Sequence, residues 1–196
     1  MLPFLAAAAL AAGAIFVAEF GDKSQLLILA FATRYPWRPV VLGLVLAASL
    51  IQGVSVFVGA AVGAVLPANL VAIVSGLAFL AVAVWTFLQD DEDEDEELSR
   101  PSGSLVGIGL VLSVAATFVV AELGDKTMLA TFALAASQGP LPTWIGSTIG
   151  EVSANLVAVV VGRQVGTRMS PQVLRIGSAT LFAIAGALVL AGALLS

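Results

Sequence analysis

The chain contains no cysteine and no histidine. The first absence excludes disulfides and thiolate metal sites, and the second excludes imidazole ligation and a histidine proton relay. Any metal ion is therefore left to oxygen ligands. Charge is scarce as well: Lys, Arg, Asp and Glu make up 11% of the 196 residues against 60% apolar, a composition outside that of soluble domains. There is no glycine-rich phosphate loop and no nucleophile-plus-base pattern, so nucleotide hydrolysis and covalent catalysis both lack candidate groups. These absences point to an integral membrane protein that is not an enzyme, holds no cofactor and has no nucleic-acid partner.

Uncharged runs extend over Met1 to Ala18, Val40 to Gln89, Pro101 to Ala121, Thr127 to Gly150 and Ile176 to Ser196. A spanning helix needs roughly 20 apolar residues. The runs predict an all-α integral membrane protein of six transmembrane helices: Leu2–Ala32, Val40–Leu66, Ala68–Gln89, Ser104–Ala136, Thr143–Gly162 and Val173–Leu195. Arg34 to Pro39 and Gln138 to Pro142 combine prolines with polar residues and read as loops. The apolar start lacks the basic residues of a secretory signal and runs into charged sequence, so it is read as a helix and not as a cleaved leader.

What is present stands out against that background. The heptapeptide Glu19-Phe-Gly-Asp-Lys-Ser-Gln25 returns as Glu122-Leu-Gly-Asp-Lys-Thr-Met128, 103 positions later. Each intramembrane Glu, Asp or Lys costs at least about 2.5 kcal/mol, so six of them in two matched clusters call for a reason beyond folding. Transport supplies one. The offset continues outside the motif in Val17/Val120, Ala18/Ala121, Pro39/Pro142, Gly43/Gly146, Gln52/Asn155, Gly59/Gly162 and Gly63/Gly166. The chain thus divides into a first three-helix repeat over 1–89, an acidic linker over 90–103 and a second repeat over 104–196. Three crossings per unit force the second unit in from the opposite side, giving two inverted three-helix repeats with the site near the midplane.

Arginines 34 and 38, 100, and 163, 168 and 175 fall in or beside the odd-numbered loops. The positive-inside rule then makes those loops cytoplasmic and puts both termini outside. The central loop carries eight consecutive acids, Asp90 to Glu97, which cannot pack and read as a solvated linker, with cation gathering at the cytoplasmic mouth as the functional alternative.

Within each motif the acids are three residues apart, which on a helix puts them on one face. Glu19, Asp22, Glu122 and Asp125 are the candidate metal ligands, an all-oxygen set suited to Ca²⁺, Mn²⁺ or Mg²⁺. Ser24 and Thr127 could add hydroxyl oxygens, and the equivalent amides Gln52 and Asn155 could complete the shell or simply join helices. Lys23 and Lys126 would project away from the neighbouring Asp, as gates, charge balance or partners of the opposite carboxylates. Glu151, opposite Ala48 in the repeat, is a candidate proton carrier, asymmetric ligand or buried ion-pair member. Interhelical Glu/Asp–Lys pairs without substrate are the structural alternative, an expensive one for clusters with excess negative charge.

The doubled E-x-G-D-K-[ST] motif, one copy opening each half, resembles the Gdt family of cation transporters, which has Golgi, chloroplast and bacterial members. The match spans almost the whole chain, and the acidic central loop and short length resemble the family's minimal bacterial form. The resemblance implies exchange of Ca²⁺ or Mn²⁺ for protons, with Glu19, Asp22, Glu122 and Asp125 at the acidic positions and Mn²⁺ export across a bacterial inner (plasma) membrane as the expected role. Phe20 and Leu123 fill the variable position, and Gln25 and Met128 differ between the copies. Competition of metal and protons for the same carboxylates supplies coupling without ATP. The rival readings are a divalent-cation channel, an exporter of a small organic solute, and a non-transporting scaffold.

Overall fold

The computed structural model describes residues 1–19, 22–88, 106–165 and 171–195. The acidic run 90–97, Phe20, Gly21, Arg100, Gly166 and Arg168 lie outside the described residues, as do the side chains of Lys23, Arg163 and Arg175. Those that are described form eight helices: α1 (Leu2–Glu19), α2 (Lys23–Arg34), α3 (Trp37–Val65), α4 (Ala68–Leu88), α5 (Ile108–Glu122), α6 (Lys126–Gln138), α7 (Pro140–Val165) and α8 (Pro171–Leu195). Among them α1, α3 and α4 are each long and apolar enough to cross a membrane, and the bent pair α5–α6 makes a fourth candidate.

Proline and glycine place the boundaries. Pro36 precedes α3 and Pro67 follows its last turn, while Gly139, at φ +93°, closes α6. Two expected loops are shorter than the sequence suggested, because Pro39, Pro140 and Pro142 sit inside the first turns of α3 and α7, where a missing N–H leaves no bond unmade.

The larger correction concerns the helices expected at Leu2–Ala32 and Ser104–Ala136. Each is broken in two at the charged motif, α1 from α2 and α5 from α6, the second pair meeting at 81°. Asp22 and Asp125 adopt extended backbone at the break and stand as N-caps of the following helices. Gly124 takes φ +83°, a left-handed conformation that side-chain-bearing residues avoid.

Polarity is arranged inside out. Leu42, Leu46, Leu50, Val54, Phe57, Leu77, Val84 and Phe87 face outward, whereas Glu19, Glu122, Glu151, Gln52 and Asn155 are buried. An apolar exterior is stable only against lipid, which fits an integral membrane protein. Two apolar clusters fill the interior. Leu27, Ile28 and Phe31 of α2 pack with Val40 and Leu44 of α3 and Leu110, Val114 and Phe118 of α5. Ala11 and Ile15 of α1 pack with Phe79 of α4, Ala130, Ala133 and Leu134 of α6 and Phe182 of α8.

Close helix approaches recur at repeat-related positions. A Cβ on Gly43 of α3 would lie 2.8 Å from the Val111 carbonyl oxygen and 2.6 Å from Val114 Cβ on α5. A Cβ on Gly146 of α7 would collide with the Ala8 carbonyl and lie 2.9 Å from Ala11 Cβ on α1. Residues 43 and 146, 8 and 111, and 11 and 114 are all 103 apart, so one small-residue contact is made twice between opposite halves.

Candidate metal centre

The described residues of the two motif copies share one backbone hydrogen bond. In each, the Asp amide donates to the carbonyl of the Glu three residues earlier, Asp22 to Glu19 and Asp125 to Glu122, both at 3.1 Å. The chain thereby stops one helix, turns, and starts the next within a few residues. Glu19 and Glu122 are the last residues of α1 and α5, and each Asp caps α2 or α6. The one-face helical geometry expected from the spacing is therefore not what aims the carboxylates; the break is.

The four acids meet. One carboxylate oxygen from each of Glu19, Asp22, Glu122 and Asp125 lies within 4.8 Å of the other three. Glu19 and Glu122 are wholly buried, and Asp22 nearly so. With Glu151, these are all the acids of the chain outside the run 90–97. Lys126 crosses from the second motif to the first, its Nζ donating to Asp22 Oδ1 at 2.8 Å. Among the described side chains, one ammonium stands against four carboxylates, an excess of negative charge that a low-dielectric interior tolerates only with cations or protons bound.

Partners differ oxygen by oxygen. Ser24 Oγ donates to Glu19 Oε2 at 3.0 Å, and the Thr127 amide donates to Asp125 Oδ2 at 3.5 Å. Glu19 Oε1, Asp22 Oδ2, both Glu122 oxygens and Thr127 Oγ1 are buried with no hydrogen-bond partner among the described residues. Buried oxygens without donors are what a cation or a proton would satisfy. Gly124 N–H donates to Met128 Sδ at 3.2 Å, and Gln25 Nε2 reaches the Ala154 carbonyl of α7 at 3.4 Å, so the residues that differ between the motifs hold different neighbours.

Gln52 and Glu151 are hydrogen-bonded to each other, the amide donating to Glu151 Oε2. Asn155 Nδ2 turns back to the Glu151 carbonyl at 3.0 Å. The two amides keep free oxygens, as does Glu151 at Oε1. Glu151 interacts electrostatically with Glu19, Glu122 and Asp125, and it forms no arginine pair among the described residues.

The sequence reading missed two things. The helix break was visible in Gly-Asp-Lys-[Ser/Thr], where Gly favours a helix stop and Asp an N-cap. Buried Thr131, Thr143 and Ser147 also went unremarked, although the last two precede Glu151 at four-residue spacing on α7.

The family model described as "Divalent cation/proton antiporter GDT1" matches residues 5–94 and 110–196. A Vibrio cholerae protein named "Putative manganese exporter" is 30% identical over 171 residues, covering 86% of this chain and 82% of its own length. A GDT1-like protein of Synechocystis is 30% identical over 183 residues, covering 86% and 88%. The chloroplastic protein PAM71 of Arabidopsis thaliana is 29% identical over 201 residues, covering 90% of this chain and 54% of the relative. No solved structure matches.

Proposed function

The chain belongs to the GDT1 family of divalent cation/proton antiporters, and we propose that it exports Mn²⁺, with Ca²⁺ as a second substrate, in exchange for protons by alternating access. The observation that carries this reading is the convergence of four carboxylates, two from each motif, with buried unpartnered oxygens between them. Four carboxylate oxygens that all lie within 4.8 Å of one another are close enough for a single divalent cation to be held by oxygen ligands from both motifs. The Vibrio cholerae relative carries manganese in its name and so favours Mn²⁺ as the substrate to test first.

Glu19, Asp22, Glu122 and Asp125 are the proposed ligands, with Thr127 Oγ1 and the Asn155 amide oxygen as neutral additions. Ser24 orients Glu19, and Gln52 orients Glu151. Lys126 supplies internal charge balance by holding Asp22. When the cation leaves, protons take the carboxylate oxygens it vacates, and that exclusion is the coupling. In this reading the membrane is the bacterial inner membrane. The chain crosses it six times as two inverted repeats, with both termini outside and the 90–103 linker cytoplasmic. The twice-made contact of Gly43 with Val111 and Val114, and of Gly146 with Ala8 and Ala11, supports it, because an exchange of partners between halves is what a two-fold relation produces.

The test is Mn²⁺ and Ca²⁺ uptake by proteoliposomes with internal pH recorded at the same time and Glu19→Gln as control. Metal uptake with stoichiometric proton release, lost in the variant, is the expected result. Metal flux indifferent to protons would replace the antiporter with a channel, and no metal flux would return the organic-solute reading.

A further inference from the structure

A groove of about 600 Å³ opens on the apolar exterior between α1, α6 and α8. Phe79 of α4, Leu134 of α6 and Phe182 of α8 are its buried floor. Leu10 of α1 and Ile184 and Leu188 of α8 stand on its rim, exposed and continuous with the outward-facing apolar surface. On the α1 side the wall is bare. Gly13 lines the groove, and a Cβ there would meet no described atom within 4 Å. Ala9, one turn earlier on the same face of α1, adds only a methyl group.

Polarity in this wall is confined to one end. Its polar residues, Ser137 and Gln138, are both in the last turn of α6. The Ser137 hydroxyl is satisfied by its own helix, donating to the Ala133 and Leu134 carbonyls at 3.0 and 3.2 Å, and Gln138 is exposed beside the turn at Gly139. Lipid-exposed turns do not occur within hydrocarbon, so that turn marks the level of the lipid headgroups. The far end, at Val17 and the stacked rings of Phe79 and Phe182, is wholly apolar. Between Ala9 and Val17 the groove follows about 12 Å of α1, at about 1.5 Å per residue. One leaflet's share of a hydrocarbon core of about 30 Å is about 15 Å.

We propose that this groove binds one phospholipid, an acyl chain lying along α1 from the level of Gln138 inward to the Phe79–Phe182 pair. The groove has the length of a leaflet, is polar only at the headgroup end and is continuous with the lipid-facing surface. A helix of a second copy fits less well, since a cylinder about 10–12 Å across would fill about 1,000 Å³ or more over the same length. A chain set into the groove touches α1, α6 and α8 at once, and so keeps dispersion contacts that a chain on a convex helix face lacks. It also fills the space beside α1, the helix that ends at Glu19. The site uses none of the acids and stands whether or not the antiport reading does.

The test is native mass spectrometry of the full chain, purified in mild detergent and washed with fresh detergent until bulk lipid is gone. The parent should keep about one phospholipid per chain, as a groove of this size holds a single ligand. Ala9→Leu and Gly13→Leu push side chains into the groove and should lower that retention at least about 10-fold. Leucine is a good helix former and replaces Gly13 at a gain in propensity, so both variants should elute as folded species. Leu50→Phe, on the outward face of α3, should retain phospholipid as the parent does. Phospholipid added back should raise the unfolding temperature of the washed parent and not that of the two groove variants. Where neither variant folds, the parent's response decides, and no rise overturns the site. A parent stripped of phospholipid by washing, or groove variants that retain it equally, would overturn it too. So would a parent dimer that the same substitutions split, which would give the groove to a second copy.

Discussion

Asp22 in the first motif is held by a lysine that arrives from the second, at 2.8 Å, whereas Asp125 in the second motif accepts the amide of Thr127 from its own helix. Glu19 accepts a serine hydroxyl, whereas Glu122 is buried with both oxygens unpartnered. The same Asp-to-Glu backbone bond at 3.1 Å occurs in each copy, and each Asp is an extended N-cap. Repetition of a short sequence therefore repeats the Asp-to-Glu bond and the cap but not the side-chain partners. The partners nevertheless come from the motifs themselves, Lys126, Ser24 and Thr127, and among the described residues Glu122 is the carboxylate that none of them reaches.

If that contrast is functional, Glu122→Gln should be the most damaging single change. Removing the unbraced carboxylate is expected to lower Mn²⁺ uptake by at least about 100-fold, the upper end of what even supporting partners of ligands cost, while the purified protein still elutes as a folded species. Uptake within a few-fold of the parent would show that the free oxygens are not where the cation sits. Lys126→Met attacks the brace instead. It leaves Asp22 buried beside three other acids, and breaking a buried pair costs about 3–5 kcal/mol. Thermal unfolding in detergent should show that loss and its partial recovery by Mn²⁺, which would supply the missing positive charge. A variant as stable as the parent without metal would mean that the pair carries little of the site's charge balance.

Ser24→Ala and Thr127→Ala compare equivalent positions directly. The serine hydroxyl bonds a carboxylate and its loss should cost about 1.5–3 kcal/mol, the range for hydrogen bonds to charged groups, whereas the threonine hydroxyl has no protein partner and its removal should change metal-free stability by less than about 0.5 kcal/mol. Equal costs would erase the distinction between a braced and a free copy. An effect between those two is expected of Gly124→Ala. A Cβ there meets nothing within 4 Å, so only the left-handed backbone at φ +83° opposes it, at about 1–2 kcal/mol.

Much of this arrangement is written in the sequence, for reasons that can be traced to particular residues. Helix character and lipid exposure follow from composition, since Leu42, Leu46, Leu50, Val54 and Phe57 could not face water in such number. The four acids are conspicuous because charge in apolar sequence is costly. The break between Glu and Asp was less visible. Apolar residues flank the motif on both sides, Leu2 to Ala18 and Leu26 to Ala32, so one long helix fits the pattern and only the pairing of glycine with a capping aspartate marks a break. The Lys126–Asp22 contact was one of three roles open to the motif lysines, and choosing it depends on how closely two distant breaks approach. The hydroxyls of Thr131, Thr143 and Ser147 were lost among the many small polar residues of membrane helices, and they become visible only once their burial and the apolar character of Ile28, Val40 and Leu44 are set side by side.

Gly146 and Gly150 rest on the carbonyls of Ala8 and Ala12, so α1 and α7 touch backbone to backbone. Further along that same α1, at its last residue, stands Glu19. The distance of this carboxylate from its neighbours is consequently gauged by main-chain thickness, a dimension that side-chain repacking cannot adjust. Divalent ions differ in bond length by only a few tenths of an ångström, and flexible ligands alone would tolerate that difference. A spacer fixed by two bare helices a few turns away would not, so on the reading proposed above a single methyl group at Gly146 or Gly150 would alter discrimination by ionic radius without coming near the ion.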